Sequence, residues 1–285
     1  MVHIMPAVGQ TTESAAIHHD DIVVVGRDER DRDKQIHNFV RGLTVTPGTD
    51  PLGRFDREEV CPQAAGLPPQ YNRAIADRIR QVATAARISL AKEDCRYPNA
   101  LVIFASNKLA MIAALRKRYP WLFHDMRGAP ITIEREDGPA AAWHVEGLAT
   151  RDGTVVPPGD PPQIRTTMAS SRLQAMARPV FLLSIVVIER RGVDGLTATQ
   201  IADYAAMRTF TDATPARART TAVSSILTVL DAPMGTPTPP TMTSWDLNFL
   251  RGYYDASPNS FARAQRGEIE SYLKRHLDVP EKGTK

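Results

Sequence analysis

Val180-Phe181-Leu182-Leu183-Ser184-Ile185-Val186-Val187-Ile188 is the longest apolar stretch of the chain, interrupted only by Ser184. It falls far short of the ~20 residues that a membrane-spanning helix needs. A near-continuous apolar run of this length fits a β-strand covered on both faces. Gly192-Val193-Asp194-Gly195 follows and reads as a tight turn, too short for a dinucleotide fingerprint. A helix is expected next, over about Ala198–Phe210. The strongest strand thus feeds a helix through a glycine turn.

Upstream, Ala100-Leu101-Val102-Ile103-Phe104 reads as a second buried strand. Ser106 or Asn107 then caps a helix through Met111, Ile112, Leu115 and Tyr119, stopped by Pro120. Before that strand, Ile75, Ile79, Val82 and Ala86 recur on one face of a helix that opens at Pro69, a residue suited to a first turn. Trp143-His144-Val145-Glu146 alternates apolar and polar residues, as a half-exposed strand over Trp143–Leu148 does, and Ile131–Glu134 is a further strand candidate. Ile22-Val23-Val24-Val25-Gly26 also reads as a short strand, with a helix over 30–41 through Ile36, Phe39 and Val40. Pro47, Pro51, Pro62 and Pro68 make 44–68 an irregular excursion. Further helices start near Ser244, with Trp245, Phe249, Leu250 and Tyr253 on one side, and near Asn259, ending at His276. Strands alternating with helices give an α+β fold: a mixed β-sheet with helices packed on it. Residues 1–20 carry no periodicity and read as a disordered tail, leaving 21–285 as one domain with a possible boundary at the proline-rich loop near 152–162.

The 285 residues are 42% hydrophobic and 24% charged, which excludes a wholly disordered chain. Lys and Arg number 35 against 32 Asp and Glu, and the signs are interleaved, as in Arg27-Asp28-Glu29-Arg30-Asp31-Arg32-Asp33-Lys34. A nucleic-acid binder concentrates its cations on one face, so that function is disfavoured. Cys61 and Cys95 both sit beside loop formers and flank one helix. They read as a disulfide staple across it, with two free thiols as the alternative. A staple implies an oxidising compartment, periplasmic or secreted, with the cytoplasm as the alternative. Met1–Gln10 is not a complete leader, although Pro6-Ala7-Val8-Gly9-Gln10 fits the last piece of one if the chain starts upstream.

The histidines are His3, His18, His19, His37, His124, His144 and His276, and no two have helical i, i+4 ligand spacing. Neither a metal site nor a cofactor is expected, and no phosphate-loop or nucleophile-elbow motif appears. Leu196-Thr197-Ala198-Thr199-Gln200-Ile201-Ala202-Asp203-Tyr204-Ala205-Ala206-Met207, then Ser224-Ser225-Ile226-Leu227, Thr243-Ser244-Trp245-Asp246 and Leu250-Arg251-Gly252-Tyr253-Tyr254, follow in order. This order resembles the C-terminal part of zincin metallopeptidases, the metzincin type especially, over residues 178–256. It is similar also to bacterial families that share this tail with a degraded motif.

The resemblance implies a zincin-like domain whose chemistry is lost. Thr199 stands at the first zinc-histidine position, Gln200 at the general-base glutamate, Asp203 at the second histidine and Thr209 at the third ligand. Ala206 replaces the glycine and Leu227 the turn methionine. Thr is a poor zinc ligand, and Gln cannot take a proton from metal-bound water. Thr197-x-x-Gln200 has a structural account of its own, a capping box, and Thr243-x-x-Asp246 reads similarly. The expected function is therefore non-catalytic, a binding or structural role in the cell envelope. The alternatives are a hydrolase built from His124 or His144 and a serine, and a basic-surface nucleic-acid binder. In the zincin-like reading the strand Trp143–Leu148 lies at the rim of the cleft, where a peptide or protein partner could add as a further strand. The competing expectation is that the loop at 152–162 covers that edge.

Overall fold

The computed structural model describes residues 22–56, 59–92, 95–124, 130, 131, 133, 138–156, 174–233 and 235–277, with the backbone alone at 22–29. In chain order the helices are α1 (Ile22–Leu43), α2 (Pro69–Ala85), α3 (Lys108–Arg118), α4 (Ala198–Phe210), α5 (Pro215–Ala218), α6 (Ser244–Asp255) and α7 (Ala262–His276). The strands are β1 (Pro62–Ala65), β2 (Ala100–Ala105), β3 (Ala140–Thr150) and β4 (Ala177–Glu189). They form one sheet of order β1-β2-β4-β3, in which β1, β2 and β4 run parallel and β3 runs antiparallel to β4. The α+β fold with a mixed sheet is as expected from the sequence.

β4 is apolar on both sides because the sheet is covered on both faces. On one face Val102, Phe104, Val186, Ile188 and Phe181 join a large cluster with Ile36, Phe39, Ile75, Ile79, Tyr204, Phe249 and Ile269 from α1, α2, α4, α6 and α7. On the other, Ala105, Trp143, Ile185 and Val187 pack with Leu122, Phe123 and the α3 residues Met111, Ile112 and Leu115. α4 lies deepest, with every residue from Gln200 to Phe210 buried. Its start is fixed by the capping box: Thr197 Oγ1 accepts from Gln200 N, and Gln200 Oε1 accepts from Thr197 N, both at 3.1 Å. α3 is capped by Asn107 Oδ1, which accepts from Ala110 N at 2.8 Å. The Glu189 carboxylate at the end of β4 accepts from Lys108 N at 2.9 Å and tethers the same helix start.

The structure corrects two expectations near the N-terminus. Ile22–Gly26 is not a strand but the first part of α1. Ile36, Phe39, Val40 and Leu43 anchor one helix against the core, and the helix extends back through the β-branched run, whose strand preference depends on a neighbouring strand to pair with. Within the excursion 44–68, Pro62–Ala65 forms the edge strand β1, with proline at its first position, where no ladder bond is lost. Gly66 ends β1 at φ +99, where a Cβ would collide with the Phe104 carbonyl of β2. α7 begins at Ala262 rather than near Asn259. Residues 1–20 and 157–162 lie outside the described residues, as does much of Ile131–Glu134, where 131 and 133 are described and are not in a strand.

Cys61 and Cys95 stand at disulfide distance across α2, with Cα atoms 6.1 Å apart and a sequence separation of 34. No helix among the described residues is long and apolar enough to cross a membrane.

Candidate functional site

The positions singled out on α4 do not converge. Thr199 is half-buried at the helix start. Gln200 completes the capping box, and its Nε2 donates to Pro239 O at 2.9 Å and Thr238 Oγ1 at 3.3 Å. Asp203 is fully buried. Its carboxylate accepts from Arg78 Nε at 2.7 Å and Nη2 at 3.1 Å, from Thr241 Oγ1 at 2.6 Å and from Met242 N at 2.7 Å. One side chain thus joins α2, α4 and the approach to α6. Thr209 lies six residues further on, about 9 Å along the axis at 1.5 Å per residue. Among the described residues, no group of three or more His, Cys, Asp or Glu is placed to hold a metal ion.

Two of the downstream segments, at 225–227 and 243–246, meet on Asp246. Its carboxylate accepts from Ser225 Oγ (2.6 Å), Ile226 N (2.9 Å), Thr243 N (3.0 Å) and Thr243 Oγ1 (2.7 Å). Burial pushes this carboxyl above its ordinary range, while the four donors pull it back down. The Ser225–Leu227 turn is therefore clamped to the start of α6. Leu227, at the turn-methionine position, is fully buried in the main cluster.

A second polar cluster lies at the far end of α4. His144 on β3 is stacked on Phe181 with ring centroids 3.8 Å apart. Its Nδ1 lies 3.1 Å from Asp212 Oδ1, and its Nε2 lies 3.0 Å from the Thr209 carbonyl oxygen. Both neighbours are acceptors, so a neutral ring can donate to one of them, and both bonds together need the doubly protonated ring. Ser184 sits opposite His144 across the β3–β4 ladder and therefore on the same face of the sheet. A serine, a histidine and a carboxylate thus share one neighbourhood. The Ser184 and Thr209 hydroxyls are completely enclosed and have no hydrogen-bond partner among the described residues. His124, the other candidate base, instead follows a short 3-10 turn, with its Nδ1 2.9 Å from Pro120 O.

β3 is an edge strand of the sheet. Its C-terminal end is covered by the turn that follows: Ala149 bridges Val155, and Val156 N donates to Leu148 O at 2.7 Å. Leu148 thus points its backbone away from β4, and by the two-residue alternation so do Glu146 and His144.

Sequence reading missed the charged side chains beneath this edge. Arg54, only 5% exposed, donates from Nη1 to the carbonyls of Tyr253 (2.9 Å), Tyr254 (3.3 Å) and Ala256 (2.9 Å) at the end of α6. Arg178 is also buried, pairs with Asp56, and donates to Thr150 O at 2.8 Å and Asn259 Oδ1 at 2.5 Å. An isolated arginine in a proline-rich excursion, or one before Pro179, carries no local signal of burial. Comparison of the chain with protein-family models, curated proteins and solved structures finds no match.

Proposed function

We propose that the chain is a non-catalytic zincin-like domain with a binding or structural role, working in the periplasm or outside the cell. The observation that carries this reading is Asp203, whose fully buried carboxylate is engaged by Arg78, Thr241 and Met242. A carboxylate with four such donors serves as a strut between helices. Gln200, at the general-base position, is likewise committed to its cap. Support for the zincin-like part comes from the order of elements: an antiparallel edge strand, a central strand, a glycine turn and the helix with the matching positions. The cysteine pair supports an oxidising location. A peptide or protein partner belongs to the same reading. With the 150–156 turn closing one end of β3, an added strand would lie against residues 142–147.

The test is hydrolysis of casein, small peptides and simple esters by the purified chain with added zinc. The expected rate is that of the protein-free blank. Turnover that disappears in Asp203→Ala, while that variant stays folded, would restore α4 as a catalytic helix. Turnover that disappears in His144→Ala or Ser184→Ala would favour a hydrolase built on the second cluster.

A further inference from the structure

A small cavity opens beside Arg54, between the excursion 52–56, the end of α2 and the end of α6. Its volume is about 110 Å³, and Arg54, Phe55, Asp56, Arg87, Ile88, Ser89 and Tyr254 line it. Water occupies ~30 Å³ per molecule in the liquid, so the space is that of three or four waters. That suits one tetrahedral or planar oxyanion and is well below the ~300–1,000 Å³ of sites for drug-sized ligands.

Among the described residues that line the cavity, Arg54 and Arg87 stand against one carboxylate. Arg54 and Arg178 are 5% and 4% exposed, and among the described residues that line the cavity the one carboxylate is Asp56, which is paired with Arg178. Arg54 is held by neutral backbone carbonyls through Nη1. Buried charges are ordinarily paired. Among the described lining residues, Arg54 therefore has no carboxylate of its own and is held by carbonyls at the end of α6. Burial pushes the Arg54 guanidinium below its ordinary value. At the mouth stands Arg87, an exposed second cation, held at φ 61 in the left-handed region as the chain leaves α2. Glycine is the favoured residue at such a position. Here it carries an arginine that lines the cavity instead. Ser89 adds a hydroxyl donor at the rim.

We propose that this cavity binds a small oxyanion, a phosphate or carboxylate group, between Arg54 at its base and Arg87 at its mouth. Guanidinium groups match such oxygens with paired N–H donors. The inference stands on the cavity and its charges and does not depend on the zincin-like reading.

The test is thermal unfolding and calorimetric titration of the whole chain with inorganic phosphate, against chloride at equal ionic strength. Phosphate is expected to raise the Tm and to bind one per chain. Arg87→Gly is the informative variant. It relieves the left-handed backbone, so its Tm without phosphate should equal or exceed that of the parent, while its affinity for phosphate falls at least tenfold. Phenyl phosphate and acetate form two further arms. Binding of phosphate and not phenyl phosphate identifies the free ion as ligand. Binding of both identifies a phosphate group on a larger molecule. Binding of acetate in preference to either identifies a carboxylate. No binding in any arm, or phosphate affinity unchanged in a folded Arg87→Gly variant, would overturn the proposal.

Discussion

At the scale of single residues, the polar groups of α4 serve as fasteners, each with identifiable partners. Gln200 is bonded to Thr197 within its own turn and to Pro239 beyond it. Gln200→Ala should therefore behave as a cap mutation. It is expected to cost about 0.5–2 kcal/mol in urea unfolding and to leave any ligand affinity unchanged. A normally stable variant with altered binding would contradict that role. This fastener was legible in the sequence because capping is local: Thr, two residues, then Gln. Asp203 was legible only as a position in a motif, because its partner Arg78 lies 125 residues away. The carbonyls that hold Arg54 lie about 200 residues away, beyond the reach of any periodicity or spacing argument.

At the scale of elements, long patterned segments read true and short or unpatterned ones did not. α2 emerges at almost the expected bounds and β4 extends the expected 180–188 to 177–189, because burial on one helical face, or on two strand faces, leaves its mark in the sequence. β1 has four residues and no alternation of hydrophobicity, and it exists because it pairs with β2. Ile22–Val25 carries strand-forming residues, yet the helix anchored further along by Phe39 and Leu43 includes it. Glu189 couples two elements, since the end of β4 holds the start of α3. The Lys108 N–H bond, and then Arg191, keep this carboxyl below its ordinary range despite burial. A carboxyl depressed in the folded state stabilises above its unfolded value of 4.5 and loses that contribution as pH falls through the folded one. Below pH 4.5 stability should therefore fall with a proton-linked component that Glu189→Gln removes. An identical pH–stability curve for Glu189→Gln would show that the tether carries no net linkage.

At the scale of the whole molecule, helices on one face and α3 on the other enclose the sheet, and the cysteine pair closes the β1–α2 segment onto it. Closing a loop of 34 residues contributes roughly 3–4 kcal/mol in the chain-entropy model. Reduction under native conditions should lower stability by about that amount, read from the urea midpoint at unchanged slope. Two freely titratable thiols in protein made under oxidising conditions would remove the staple from the account. In the proposed non-catalytic reading, Thr199, Gln200, Asp203 and Thr209 serve the fold and do not bind zinc. A metal held only by the native state would stabilise it by RT ln(1 + [L]/Kd). The direct measurement is elemental analysis of the untagged chain equilibrated with zinc, paired with Tm before and after chelation. Zinc far below one per chain and an unchanged Tm are expected on that reading. About one zinc per chain, lost together with stability on chelation and absent from a folded Asp203→Ala variant, would contradict it.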